Sequence, residues 1–162
     1  MRLDEIIALN AGKSPERLAL IDGDREVTFG QLQENIARLA NSLLGLASPG
    51  DRVAILAQNV AEFVECYYGV PAAGMALTFL NYRLHPKEWA WILTNAEARV
   101  LVVEQSFLEQ LRPELAGVPS IEHVVVIGGG AAPDGTIPYD EPSRLVPPPL
   151  PPSRSTTTTR PG

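Results

Sequence analysis

From Arg52 to Gly130 the chain alternates between short apolar runs rich in Val and Ile and stretches whose apolar residues recur at helical spacing. The runs RVAILAQ, MALTFLN, ARVLVVE and IEHVVVIGGG read as strands, and NVAEFVECYYGVPAAG, HPKEWAWILTNA and QSFLEQLRPEL as the helices between them. Continuous apolar runs mean strands covered on both faces. Strand–helix alternation then specifies an α/β fold: a mostly parallel sheet, helices on both faces and right-handed crossovers.

The residues before Arg52 obey the same grammar. Residues 3–11 have helical spacing. RLALIDGDREVTF places an Asp-Gly-Asp turn between apolar runs, a hairpin signal. In TFGQLQENIARLANSLLGL, Thr28 at the N-cap and Gln31 three positions later form a capping box. Leu32, Ile36, Leu39, Leu43 and Leu46 make one apolar face. SPGD is expected to stop that helix at Pro49 and Gly50.

Composition excludes several functions. The charge is −6 and no Lys/Arg cluster stands out, which argues against nucleic acid or an anionic membrane. One cysteine, Cys66, rules out a disulfide framework and suggests a reducing compartment. Asp4 and Glu5 occupy the place where a signal peptide needs apolar residues, and no run is long enough to span a bilayer. A cytoplasmic location is expected. Seven of the 15 prolines fall between Pro138 and Pro152, and from about Pro142 all periodicity is lost. The expected organisation is an α/β unit over residues 1–140 and a disordered Pro/Thr-rich tail over 141–162.

Few residues suggest chemistry by themselves. Gly128 and Gly130 fit two positions of a dinucleotide fingerprint, but Pro133 stands at the third and no helix follows, so a turn is expected. Cys66 reads as a buried structural thiol. His85 reads as a solvated loop residue, and neither it nor His123 has metal-ligand spacing. Phe63, Tyr67, Tyr68, Trp89 and Trp91 read as packing groups. Asp22 and Asp24 flank a turn glycine and need no catalytic role.

Four pieces, in order, carry a resemblance: VTFGQLQENIARLANSL, GDRVAILAQNVAEFVECYYGVPAAGM, LNYRLHPKEWAWIL and ARVLVV. Together they resemble the N-terminal part of the adenylate-forming (AMP-binding) acyl-CoA synthetases, the fatty-acid–CoA ligases among them. Thr28, Phe29 and Leu32 match the family's first element. Gly50, Asp51, Val53, Ala54 and Asn59 match the second. Ala73, Gly74, Leu80, Asn81, Arg83, Leu84 and Glu88 match the third. LNYRL further resembles acyl-CoA synthetases rather than peptide-synthetase adenylation domains.

These positions read as architectural. Asn59 is placed to cap the helix that follows it, Gly74 to end that helix, and Arg83 either to tie Glu88 or a nearby carbonyl or to stand solvated on the surface. Pro71 departs from the family pattern and is expected to kink its helix.

The resemblance implies ATP, magnesium and coenzyme A as cofactors of the parent enzyme. It also implies catalytic residues in later motifs: a Gly-rich phosphate loop, a Thr-Glu pair, a ribose-binding Asp and a C-terminal Lys. No catalytic, cofactor or metal residue is therefore assigned here. STTTTRPG matches the phosphate loop at Ser155, Thr157, Thr158 and Pro161, but Thr156 and Thr159 stand where glycines are needed. The resemblance implies an acidic linker before the phosphate loop, and a reading-frame change near Asp140 is the expected origin of the tail: GAC codons read one base late become ACG, which is threonine.

The expected product is thus a fragment of an ATP-dependent acid–CoA ligase that is inactive alone. Its expected partners are the missing C-terminal portion or a second copy. The alternatives are a non-catalytic interaction module, half of a split synthetase, or a degraded gene product.

Overall fold

The computed structural model describes residues 3–128 and 130–140, so the expectations for residues 141–162 fall outside it. In chain order the elements are α1 (Leu3–Lys13), β1 (Leu18–Asp22), β2 (Arg25–Thr28), α2 (Phe29–Leu44), β3 (Arg52–Leu56), α3 (Ala61–Ala72), β4 (Ala76–Phe79), α4 (Pro86–Ala96), β5 (Val100–Glu104), α5 (Gln105–Leu115), β6 (His123–Ile127) and β7 (Ile137–Pro138). β1 and β2 form the expected antiparallel hairpin. The other five strands make one parallel sheet in the order β4-β3-β5-β6-β7.

Alternation within each strand divides the core in two. Val53, Ile55, Val100, Val102, Val125 and Ile127 pack with Leu39, Leu43, Cys66 and Val70 of α2 and α3. Ala54, Leu56, Leu101, Val103 and Val126 pack on the opposite face with Trp89, Leu93, Leu108 and Leu111 of α4 and α5. The path from β3 to β4 runs one way over the first face, and the path from β4 to β5 runs back over the second. Reversing both direction and face keeps one hand for the crossovers, as the right-handed rule requires.

Three expectations change. α2 ends at Gly45, whose N–H reaches Ser42 O and Leu43 O, so it stops before Pro49. Pro71 lies one residue from the end of α3, where it hastens termination without kinking the interior. β7 was not legible, because Pro138 lowers strand propensity, yet an edge strand tolerates a missing N–H.

Two glycines are needed for close approach. A Cβ on Gly69 would lie 2.9 Å from Leu39 Cδ2, so its absence lets α3 lie close against α2. Gly74 has φ +75°, follows the C-cap of α3, and donates to Pro71 O at 2.9 Å while Met75 N–H donates to Val70 O at 3.1 Å. Those two bonds form a Schellman closure. A Cβ there would also press on Pro49 Cβ at 3.2 Å. Gly74→Ala is expected to cost about 1–2 kcal/mol in urea unfolding, from left-handed strain and that contact.

Candidate functional site

The family-motif positions Thr28, Gly50, Asp51, Asn59, Gly74, Asn81, Arg83 and Glu88 do not converge on one site, and most of them close a local piece of backbone. Thr28 caps α2: Gln31 N–H donates to Thr28 Oγ1 at 3.3 Å and Thr28 N–H donates to Gln31 Oε1 at 2.9 Å. Gly50, Asp51 and Gly74 meet at the N-terminal ends of β3 and β4. Gly50 N–H donates to Gly74 O at 2.9 Å, and Asp51 Oδ2 accepts from Ser48 N–H at 2.8 Å. Asn81, Arg83 and Glu88 build the entrance to α4. Asn81 Oδ1 accepts from Arg83 N–H at 3.0 Å, and Asn81 O accepts from Trp89 Nε1–H at 2.8 Å.

Three roles differ from expectation, those of Asn59, His85 and Trp91, and that of Arg83 is decided. Asn59 does not cap α3, which has Val60 at its N-cap and no local side-chain cap. Asp22 does so from the hairpin instead, Oδ2 accepting from Ala61 N–H at 2.9 Å. Arg83 does not pair with Glu88; its guanidinium lies 5.6 Å from the centre of the Tyr82 ring. Glu88 Oε2 instead accepts from His85 N–H at 2.8 Å, and His85 Nδ1 accepts from Lys87 N–H at 3.2 Å. His85 is exposed, but it is the N-cap of α4 rather than a free loop residue. Trp89 is buried, whereas Trp91 is 67% exposed and is no packing group.

The strand order reverses at β3, so the crevice for a ligand in an open parallel sheet lies between the C-terminal ends of β3 and β5. Here it is bridged from within. Glu104 Oε2 accepts from Gln58 N–H at 2.6 Å. A nucleotide phosphate needs free N–H donors and positive potential at such a position, and a carboxylate supplies neither. β6 leads through Gly128 and Gly130 to β7, not into a helix. No group of three or more His, Cys, Asp and Glu side chains among the described residues could hold a metal ion. The described residues therefore do not fit ATP or magnesium by themselves.

Sequence reading missed a buried acidic network on α3. The side chains of Glu62 and Glu65 are 10% and 3% exposed. Arg25 Nη1 donates to Glu62 Oε1 at 2.6 Å. Asn35 Nδ2–H donates to Glu65 Oε1 at 2.8 Å, and Tyr139 O–H donates to Glu65 Oε2 at 2.6 Å. Arg25 Nη2 also lies 3.7 Å from Glu65 Oε1, so the two carboxylates of α3 join the hairpin, α2 and the segment after β6. A cavity of about 80 Å³ adjoins the network, floored by Leu39, Leu43 and Val125. The pairing partners lie 30 and 74 residues away, which is why no local motif announces them.

Burial raises the pKa of Cys66 and of Tyr139, and the nearby Glu65 charge adds to both shifts. Both groups keep their protons in the fold at pH values where the unfolded chain releases them. The stability held by Cys66 is therefore fully present below about pH 8.5 and that held by Tyr139 below about pH 10; above its own threshold each falls by at most about 1.4 kcal/mol per pH unit. Urea unfolding between neutral and alkaline pH checks the slope. Native Cys66 is correspondingly expected to resist a thiol reagent that labels it on denaturation.

With the geometry established, comparison with known proteins decides the family. The model described as AMP-binding enzyme matches residues 7–159. The chain belongs to the AMP-binding enzyme family. It is 33% identical over 146 residues to a long-chain-fatty-acid–CoA ligase of Thermus thermophilus, covering 82% of this chain and 27% of that protein. It is 39% identical over 111 residues to 3-methylmercaptopropionyl-CoA ligase of Ruegeria pomeroyi, covering 65% of this chain and 20% of that protein. Among solved structures, the anthranilate CoA ligase AuaEII in complex with anthranoyl-AMP superposes with a TM-score of 0.84. It is 32% identical, over 91% of this chain and 28% of that one. The AMP-binding resemblance read from the four sequence pieces is borne out, as is the α/β fold with its parallel sheet. The 162 residues span roughly a fifth to a quarter of these relatives' lengths. Among the described residues, no helix is long and apolar enough to cross a membrane.

Proposed function

We propose that this chain is the N-terminal subdomain of an ATP-dependent acid–CoA ligase and is not catalytic by itself. In the parent reaction a fatty or aryl carboxylate attacks the α-phosphate of ATP. That step gives an acyl-adenylate and pyrophosphate. The thiol of coenzyme A then displaces AMP to give the thioester. One observation carries the reading: 82% of the chain aligns with a fatty-acid–CoA ligase while covering only 27% of it. Inactivity is supported by the Glu104–Gln58 hydrogen bond across the crevice and by the motif residues, most of which are committed to caps and turns. The chain's part in the parent enzyme is then scaffolding. ATP, magnesium and coenzyme A would be held by other parts of the parent. The free Cys66 fits a cytoplasmic location.

The frameshift reading of residues 141–162 belongs to this proposal and has its own test. The DNA after the Asp140 codon, read in the other two frames, is expected to encode a Thr-Ser-Gly-Thr-Thr-Gly-type peptide. Its absence from both frames would discard the frameshift. A second reading, half of a split synthetase, rests on the same partial coverage, since the chain aligns with only 27% of the fatty-acid–CoA ligase. Coexpression with the remaining portion of the parent, if encoded downstream, is then expected to recover a soluble complex.

A further inference from the structure

β4 is one edge of the parallel sheet, and its outer side carries no strand partner among the described residues. Ala76 N–H donates to Asp51 O at 3.0 Å and Leu80 N–H to Ile55 O at 2.9 Å, so residues of even number turn their backbone groups toward β3. Leu77 and Phe79 therefore turn theirs outward. The edge lacks the usual protections. Residues 75–82, Met-Ala-Leu-Thr-Phe-Leu-Asn-Tyr, contain no charge, no proline and no glycine.

The α3 side of this edge is apolar and aromatic. Phe79 is 47% exposed and stacks on Phe63 with ring centroids 5.5 Å apart. Tyr67, 40% exposed, lies 6.0 Å from Phe79. The acidic residues of α3, Glu62 and Glu65, are buried and turned toward Arg25. A chain of charge −6 thus presents an uncharged strip where copies would repel least.

We propose that two copies of this chain pair through β4, antiparallel about a twofold axis at Thr78. The register follows from the outward groups. Leu77 of one copy faces Phe79 of the other and exchanges both backbone bonds with it, and the symmetric pair does the same. Thr78 faces Thr78 in the closer, non-hydrogen-bonded pair, and both Phe79 rings lie over Leu77 side chains. The interface is isologous and closes after two copies. The two five-stranded sheets become one ten-stranded sheet.

The test uses the whole 162-residue chain. Sedimentation equilibrium is expected to give twice the 17.5 kDa chain mass. Phe79→Lys is expected to weaken dimerisation more than about tenfold, by placing two ammonium groups across the joint. Its far-ultraviolet circular dichroism should be unchanged, because the position is half exposed. Thr78→Cys supplies an independent readout, since Cys66 is buried. Oxidation is expected to cross-link Thr78→Cys as a dimer, while Ser106→Cys, on exposed α5, stays monomeric. A monomer at every concentration, equal cross-linking of the two cysteine variants, or association that persists in Phe79→Lys would each overturn the proposal.

Discussion

Replacing Glu65 with leucine is expected to destabilise the fold by about 3 kcal/mol, mainly through the partners left behind. The Tyr139 hydroxyl and the Asn35 amide both lose a charged acceptor, and hydrogen bonds to charged groups are worth about 1.5–3 kcal/mol each. Arg25 adds little to the loss. It is half exposed and keeps Glu62 at 2.6 Å, and ion pairs reaching solvent contribute at most about 1 kcal/mol. Leucine fills a similar volume, so no large cavity adds to the cost. Glu65→Gln, which retains one acceptor, should cost about half as much. Tyr139→Phe should cost about 1.5 kcal/mol and should cost almost nothing further once Glu65 is leucine. Urea midpoints of the single and double variants check this. Full additivity would mean that the carboxylate does not hold the segment after β6.

Trp89→Ala is expected to cost about 4 kcal/mol, the larger of the two effects. The indole is 1% exposed and meets the Phe107 ring edge-on at 5.8 Å. It also donates to Asn81 O at 2.8 Å, so truncation removes core volume and the anchor of the Asn81–His85 loop together. The melting temperature should fall by roughly 10 °C for a chain of this size. Trp89→Phe, which keeps an aromatic body and loses only the donor, should cost about 1.5 kcal/mol. Equal losses for the two variants would place the effect in the hydrogen bond rather than the packing.

What was legible in the sequence divides by distance along the chain. The α2 capping box was readable because Thr28 and Gln31 lie within one turn and satisfy each other. The sheet was readable because runs such as VAIL and VLVV fill both faces of a strand at once. Gly74 was readable as a helix terminator because only its own φ is at stake. The errors came where a distant or competing partner prevailed. Asn59 stood at a plausible cap position, but the cap comes from Asp22, 39 residues before the Ala61 N–H that it accepts. For Arg83 the sequence left a tie to Glu88 and a solvated surface role equally open, and the choice between them was settled by the N–H of His85, which takes Glu88. The Glu65 network joins residues 74 positions apart, and nothing local to either end marks it. The family motifs identified the kind of protein because they preserve turns and caps, which are local, and left its chemistry to other segments.

ATP–pyrophosphate exchange by the purified 162-residue chain, with a panel of fatty and aryl acids, tests the central claim most directly. The account predicts no acid-dependent exchange above a heat-killed control, because Glu104 takes the Gln58 N–H at the crevice between β3 and β5 and most of the motif residues serve the backbone. Clear acid-dependent exchange would contradict it, and a phosphate-holding loop would then have to be sought within these residues.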